Sequence, residues 1–213
     1  MGKKKQKKVF LKNRMREIYQ PAEDSYFLSD VLKRTINEKN IKVIDVGSGS
    51  GIQAETLINM GVNPKDITLI DVNEEVIKYL LPKFNQSKII QSNLFQNVKS
   101  KFDVIIFNPP YLPENKEEPK DSKLATTGGK KGSEIINKFL EQVRKHLNKD
   151  GKIILLTSNL TKGINWLDYK KKLIEKKKLF FEELRVWEIT QNLTPVILDI
   201  SEVKVNKSFL FKL

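Results

Sequence analysis

Phe102-Asp103-Val104-Ile105-Ile106-Phe107-Asn108-Pro109-Pro110-Tyr111 is the stretch on which the fold of this chain turns. Apart from Asp103, its first six residues are β-branched or aromatic and without polar alternation, the pattern of a parallel strand buried on both faces. The two prolines that follow end the pairing, since neither has an N–H to give to a ladder. Asn108 therefore arrives at the carboxyl end of a strand, the edge at which open α/β sheets hold their ligands. Proline also keeps the residue before it extended, so Asn108 and Pro109 are both held stiffly. One amide side chain, rigid carbonyls and the Tyr111 ring at the rim of a crevice suit a flat group that bears an NH2.

Upstream, Ile41 to Val46 is a short apolar strand that runs into Asp45-Val46-Gly47-Ser48-Gly49-Ser50-Gly51 and then a helix from Ile52 to Met60. A strand, a glycine turn and a helix make the unit that cradles nucleotides. The spacing Gly-x-Gly-x-Gly departs from the dinucleotide fingerprint, because residue 52 is Ile. With Asp45 just ahead of it, the turn suits S-adenosylmethionine better than a nicotinamide dinucleotide. Ile67 to Ile70 is the next strand. Asp71 at its end lies twenty residues after Gly51, an offset at which a carboxylate reaches ribose hydroxyls. Asn73 is placed to cap the helix that follows, which frees Asp71, and Pro82 ends or kinks that helix. Ile89-Ile90 is a third, short strand. Asn93 follows at a strand end, where its amide either reads an adenine edge or simply makes a turn.

Ahead of these units stands Tyr19-Gln20-Pro21-Ala22-Glu23-Asp24-Ser25. Pro21 suits the first turn of a helix and the two acids suit its positive end. Tyr26, Phe27, Val31 and Leu32 extend that helix to about Thr35. Beyond the Asn-Pro-Pro-Tyr stretch, a polar loop carries Pro113 and Pro119 and reads as a lid over the site. Gly128-Gly129-Lys130-Lys131-Gly132 then leads to a helix whose buried face is expected to be Ile135, Ile136, Phe139, Leu140, Val143 and Leu147, with Ser133 as its cap. His146, the one histidine, comes late in this helix, where a cation suits the dipole better than catalysis. Asp150-Gly151 turns into a strand from Lys152 to Thr157. Trp166 to Lys177 reads as a basic helix, and Phe180 to Ile189 with Pro195 to Val203 as an antiparallel pair that closes the sheet.

The 213 residues suffice for one good core, and no repeat is visible. Residues 1–16 form a basic tail that is expected to be disordered, and 17–213 a single catalytic domain. Lysine and arginine number 39 against 26 acids, a formal charge of +13. That invites contact with RNA or the ribosome, although lysine is abundant along the whole chain and much of it is ordinary surface. There is no cysteine, hence no disulfide framework and no cysteine-ligated metal. No apolar stretch approaches the ~20 residues that span a bilayer, and no signal core is present, so a cytoplasmic location is expected.

Taken together, these stretches resemble a class I S-adenosylmethionine-dependent methyltransferase. The Asn-Pro-Pro-Tyr of residues 108–111 is similar to the strand-four motif of enzymes that methylate planar nitrogens. With Tyr19 to Ser25 and the Gly128 to Gly132 turn, the closer resemblance is to the HemK-type protein glutamine N5-methyltransferases. It covers about residues 17–160 and favours the short archaeal and eukaryotic branch, because the catalytic motifs begin almost at once.

The resemblance implies a Rossmann-like α/β fold, with a mostly parallel seven-stranded sheet and a C-terminal antiparallel hairpin strand. It implies S-adenosylmethionine as cofactor and, as substrate, the glutamine in the Gly-Gly-Gln motif of a peptide-chain release factor. It also implies a small zinc-binding activator subunit, for which Ile89-Ile90 would offer an edge strand. Asn108, Pro109, Pro110 and Tyr111 are then the catalytic set. Tyr19, Pro21, Glu23, Asp24, Ser25, Asp45, Gly47, Ser48, Gly49, Gly51, Asp71, Val72, Asn93, Leu94 and Asn108 border the cofactor. Three rivals are weighed, one of them a non-catalytic cofactor-binding subunit, against which the intact Asn108 to Tyr111 tetrapeptide argues. Adenine N6 and guanine N2 are also planar amines, although the chain has no room for a base-reading domain and no evident stacking platform. Lysine methylation would need a base to deprotonate the ammonium, and none is evident.

Overall fold

The computed structural model describes residues 20–115 and 126–192. Its frame is α1 (Glu23–Thr35), β1 (Val43–Val46), α2 (Ile52–Asn59), β2 (Ile67–Asp71), α3 (Glu74–Lys83), β3 (Lys88–Gln91) and β4 (Phe102–Phe107), then α4 (Glu134–Val143), β5 (Leu147–Ser158), β6 (Lys170–Lys178) and β7 (Glu183–Thr190). The strands form one seven-stranded sheet in the order β3-β2-β1-β4-β5-β7-β6. From β3 to β5 all pairs are parallel, while β7 runs antiparallel to both β5 and β6.

The central strands are apolar at successive positions because both of their faces are covered. Val43, Leu69, Val104 and Ile106 pack against Leu28, Leu32, Leu57 and Leu80 of α1, α2 and α3. Their neighbours Ile44, Ile70, Ile105 and Phe107 pack on the other face against Ile136, Phe139 and Leu140 of α4. Where β1 lies between β2 and β4 the strand order reverses, which opens a crevice at their carboxyl ends. This is the doubly wound sheet expected from the sequence.

Several expectations are corrected in detail. Residues 170–178 form a strand, not part of a helix from Trp166 to Lys177. The segment pairs along its length with β7, and that ladder outweighs the helical preference of its lysines. A lysine-rich strand also suits a sheet edge, where charge deters pairing with other chains. The antiparallel pair is thus β6 with β7, and Pro195 to Val203 lies outside the described residues. Asp150-Gly151 sits within β5, at a shift from the Phe102↔Leu147 register to Val104↔Lys152, rather than in a turn before the strand. α1 starts at Glu23 after Ala22, so Pro21 precedes the cap instead of occupying the first turn. Pro82 stays inside α3, which runs on to Lys83. Ser133 gives α4 no side-chain cap; the Glu134 carboxylate accepts from Lys131 N at 3.0 Å instead. Asn73 does cap α3, its Oδ1 accepting from Glu75 N at 2.9 Å. The basic tail 1–16 and most of the expected lid, residues 116–125, lie outside the described residues. Among the described residues no helix is long and apolar enough to cross a membrane.

Candidate active site

Asn108 leaves the end of β4 beside the first turn of α1. Its Nδ2 donates to Asp24 Oδ2 at 2.9 Å. A carboxylate only accepts, so this contact turns the NH2 of the amide towards Asp24 and leaves Oδ1 on the other side. That Oδ1 is buried and has no hydrogen-bond partner among the described residues. An orphaned buried acceptor costs about 1–3 kcal/mol, and native structures keep few of them.

Asp24 is itself buried and fixed. Its Oδ1 accepts from Ser25 N at 2.7 Å and from Ser25 Oγ at 3.3 Å. Behind it runs a polar seam between α1 and α2. Gln53 Nε2 donates to Ser25 O at 3.0 Å, Ser29 Oγ donates to Gln53 Oε1 at 3.0 Å, and Thr56 Oγ1 donates to Ser29 Oγ at 3.1 Å. The sequence reading missed Gln53. Its signal was the paired spacing: Ser25 and Ser29 share one helix face, and Gln53 and Thr56 share another.

The backbone after Asn108 is braced from below by the glycine turn. Leu112 N donates to Thr126 O at 2.9 Å, Gly128 N to Leu112 O at 2.9 Å, and Glu114 N to Gly129 O at 2.9 Å. Thr161, at the end of β5, donates from Oγ1 to Tyr111 O at 2.8 Å. A Cβ on Gly128 would collide with the carbonyl oxygens of Pro110 and Gly132, and one on Gly132 with that of Tyr111. Only glycine lets the two backbones approach so closely. Pro109 is buried and Pro110 and Tyr111 are half-buried, with the Tyr111 ring packed against both halves of the core.

The second cluster lies at the ends of β1 and β2. Gly47, Gly49 and Gly51 all have positive φ, of 65°, 50° and 77°. Ser48 N donates to Ile70 O at 3.0 Å, and Ser48 Oγ to Asp45 O at 2.8 Å, which ties the turn to both strands. Gly49 N donates to Asp71 Oδ2 at 3.0 Å and Asn73 N to Asp71 Oδ1 at 2.9 Å. Gly51 makes room for the Phe84 ring, which a Cβ there would strike. Asp45 is buried, and its Oδ2 has no hydrogen-bond partner among the described residues. Burial first, and the nearby Asp71 second, push its carboxyl up to about 8, against a smaller lowering by Ser48. Burial also raises Asp71, against the N–H groups of Asn73, Gly49 and Val72.

Of the other residues expected here, Glu23 is exposed and paired with Lys177 at 3.1 Å. Val72 stands exposed beside Asp71. Asn93 is exposed, and Leu94 is held at φ 49°. Tyr19 lies outside the described residues. His146 is remote from both clusters: it stacks on Phe95 with ring centroids 4.5 Å apart, and its Nδ1 lies 3.1 Å from Ser100 O.

A phosphate-type glycine turn, a ribose-type carboxylate and an amide acceptor thus share one sheet edge. The family model described as the methyltransferase small domain matches residues 23–175. The chain belongs to this family. A Methanocaldococcus jannaschii protein, whose name proposes protein N5-glutamine methyltransferase activity, is 38% identical over 182 residues, 80% of this chain and 90% of its own length. The Schizosaccharomyces pombe catalytic subunit mtq2, named as an eRF1 methyltransferase, is 27% identical over 63% of this chain and 70% of its own. These relatives make this methyltransferase a HemK-type one, as Tyr19 to Ser25 and Asn108 to Tyr111 had suggested. Among solved structures, the E. cuniculi Mtq2–Trm112 complex, described as responsible for eRF1 methylation, shares the fold. Its TM-score is 0.65 at 22% identity, and 82% of this chain and 99% of that one are covered.

Proposed function

We propose that this methyltransferase moves a methyl group from S-adenosylmethionine to the side-chain nitrogen, N5, of the glutamine in the Gly-Gly-Gln motif of a peptide-chain release factor. The observation that carries the reading is the buried, unpartnered Asn108 Oδ1 at the end of β4. It suits a planar NH2 donor. An amide oxygen is too weak a base to take the proton that an ammonium must first lose.

The residues present fit the cofactor. Gly47 and Gly49 hold positive φ in the turn after β1, Val72 is exposed, and buried Asp45 keeps a carboxyl oxygen with no partner among the described residues. Asp71 would accept from the ribose hydroxyls with its remaining lone pairs. Gly47, Ser48 and Gly49 would line the chain of the cofactor, Asn93 and Leu94 its base, and Glu23, Asp24 and Ser25 its amino-acid end. Bound there, S-adenosylmethionine supplies a methyl group on a sulfonium, whose departure as a neutral thioether needs no acid.

An amide nitrogen is a poor nucleophile because its lone pair is delocalised. Asn108 Oδ1 and the Pro109 carbonyl each accept one N–H of the target, which holds the nitrogen still with its lone pair towards the methyl. Tyr111 packs on the amide plane. Alignment of this kind is worth effective molarities of ~10⁵ M or more. With S-adenosylmethionine bound, the new N–C bond would form as its C–S bond breaks, and the methylated nitrogen, strongly acidic, would lose its proton to water.

The small activator subunit belongs to the same reading. β3 is the last strand of the described sheet on its side, and Ile89 and Ile90 on it are only half-buried. A partner strand added there would continue the ladder. Such a complex would act in the cytoplasm, where translation terminates.

The deciding experiment is transfer of a labelled methyl group. The acceptors are a release factor, its Gln→Ala variant in Gly-Gly-Gln, and bulk RNA, each with and without a small zinc-binding subunit. Label on the release factor that is lost in the variant is the expected result. Label on RNA instead would overturn the reading in favour of a nucleobase amine.

A further inference from the structure

We propose that the β6–β7 turn and the start of α1 form a docking groove for the polypeptide segment that carries the target glutamine; this rests on the release-factor reading above. The turn is closed by Leu179 N, which donates to Glu182 O at 2.7 Å. Phe180 and Phe181 therefore occupy its two corner positions. Corners of tight turns favour Gly, Pro, Asn and Asp, each for a backbone reason. Two phenylalanines serve none of those reasons, and they are 100% and 85% exposed. A local rule broken at full exposure marks a place kept for something other than folding.

The rings do not stand alone. They border a cavity of about 600 Å³ whose opposite wall includes Asp24 and Tyr111. The groove thus runs into the site that holds the Asn108 acceptor. Glu182 also lines it, and Glu182 Oε1 is buried with no hydrogen-bond partner among the described residues. A carboxylate oxygen in that state takes an N–H.

The charges favour a peptide over a nucleic acid. The groove is lined by Glu23, Asp24 and Glu182 against Lys177 and Lys178, and Lys177 is matched by Glu23 at 3.1 Å. The acids outnumber the lysines, so the groove is no track for phosphates, which are gripped by uncompensated cations. Two flat apolar rings beside an N–H acceptor suit an extended peptide. Aromatic side chains supply such area at low entropic cost.

The test is steady-state methyl transfer by the full-length chain at varied release factor. Phe180→Asn with Phe181→Gly keeps residues that favour a tight turn. It is expected to raise KM about tenfold or more, with kcat and cofactor affinity retained. Glu182→Met is expected to raise KM about fivefold. Transfer by the wild type with unchanged KM in both variants overturns the groove alone. A fall in melting temperature with unchanged KM makes the rings a folding contact and also overturns it. No transfer to the release factor by the wild type, or label on RNA that the double variant loses, defeats both this proposal and the release-factor reading.

Discussion

The Asn108 amide and the Asp24 carboxylate, 84 residues apart in the chain, meet at 2.9 Å. The contact joins the end of β4 to the first turn of α1, and it orients the Asn108 Oδ1 that has no partner among the described residues. A substitution that keeps the shape but changes the charge tests this directly. Asn108→Asp sets two carboxylates against each other, so one of the pair must titrate high. When the new carboxyl is protonated, it donates to Asp24 and keeps a carbonyl oxygen for the substrate. When it is ionised, it is repelled. Transfer should fall by about 10²–10³ above neutral pH and recover in part as the pH drops. Asn108→Ala should stay inactive at every pH while still binding cofactor. The check is kcat against pH for both variants; parallel profiles would sink the orienting role of Asp24.

The glycine turn predicts a different defect. Gly128→Ala would drive its Cβ into the carbonyls of Pro110 and Gly132, and so push the Pro110–Tyr111 backbone away from the Asn108 acceptor. A displacement near 1 Å can cost about 10²-fold in rate. Cofactor affinity should change little, because the Gly47–Gly49 turn hangs from β1 and β2. Isothermal titration with the cofactor beside a turnover assay separates the two. Equal losses in both would show that the turn supports the whole edge rather than the tetrapeptide.

Much of this was legible in the chain. Phe102–Phe107 and Ile67–Ile70 announce buried parallel strands, since apart from Asp103 and Thr68 apolar residues fill both faces. Asn73 as a cap and Asp71 at its strand end follow from local chemistry. Lys170–Lys178 misled because lysine is a good helix former, and only the β7 partner reveals the strand. The Asp24–Asn108 contact was invisible for a similar reason. Each residue reads locally as a dipole-friendly acid or a strand-end amide, and their meeting depends on how α1 packs across the sheet edge. Phe180 and Phe181 read as strand residues until the turn that displays them is seen.

Asp45 makes stability depend on pH. Its carboxyl titrates about 8 in the fold, against an ordinary 3.8. The folded state therefore holds this proton more tightly than the unfolded chain. Its contribution to stability falls as the pH rises from roughly 4 to roughly 8 and is flat above that. Asp45→Asn removes the slope. The variant should match the wild type near the acid end of the window and melt at a higher temperature at its alkaline end. A cationic group on the bound cofactor would favour the ionised form, so wild-type cofactor affinity should strengthen with pH over the same range. Melting curves across the window, without cofactor, check the first statement. A wild type and variant that differ by the same amount at every pH would remove Asp45 from the account.

The outer edge of β3 predicts where a partner subunit binds. Lys88–Gln91 pairs with β2 on one side, and no strand lies beyond it in the described sheet. On it, Ile89 and Ile90 are half-buried. An apolar rim along an unpaired ladder is a hazard for a free chain and a good seat for an added strand. On addition of the small subunit, amide exchange should slow across residues 88–91 and be unchanged across the Lys170–Lys178 edge. Charge explains the contrast, because β6 carries lysines that deter pairing and β3 presents isoleucines. Hydrogen exchange read by mass spectrometry, with and without the subunit, distinguishes the two edges. Slowing at 170–178 alone would move the interface to the far side of the sheet, beside the Phe180–Phe181 turn.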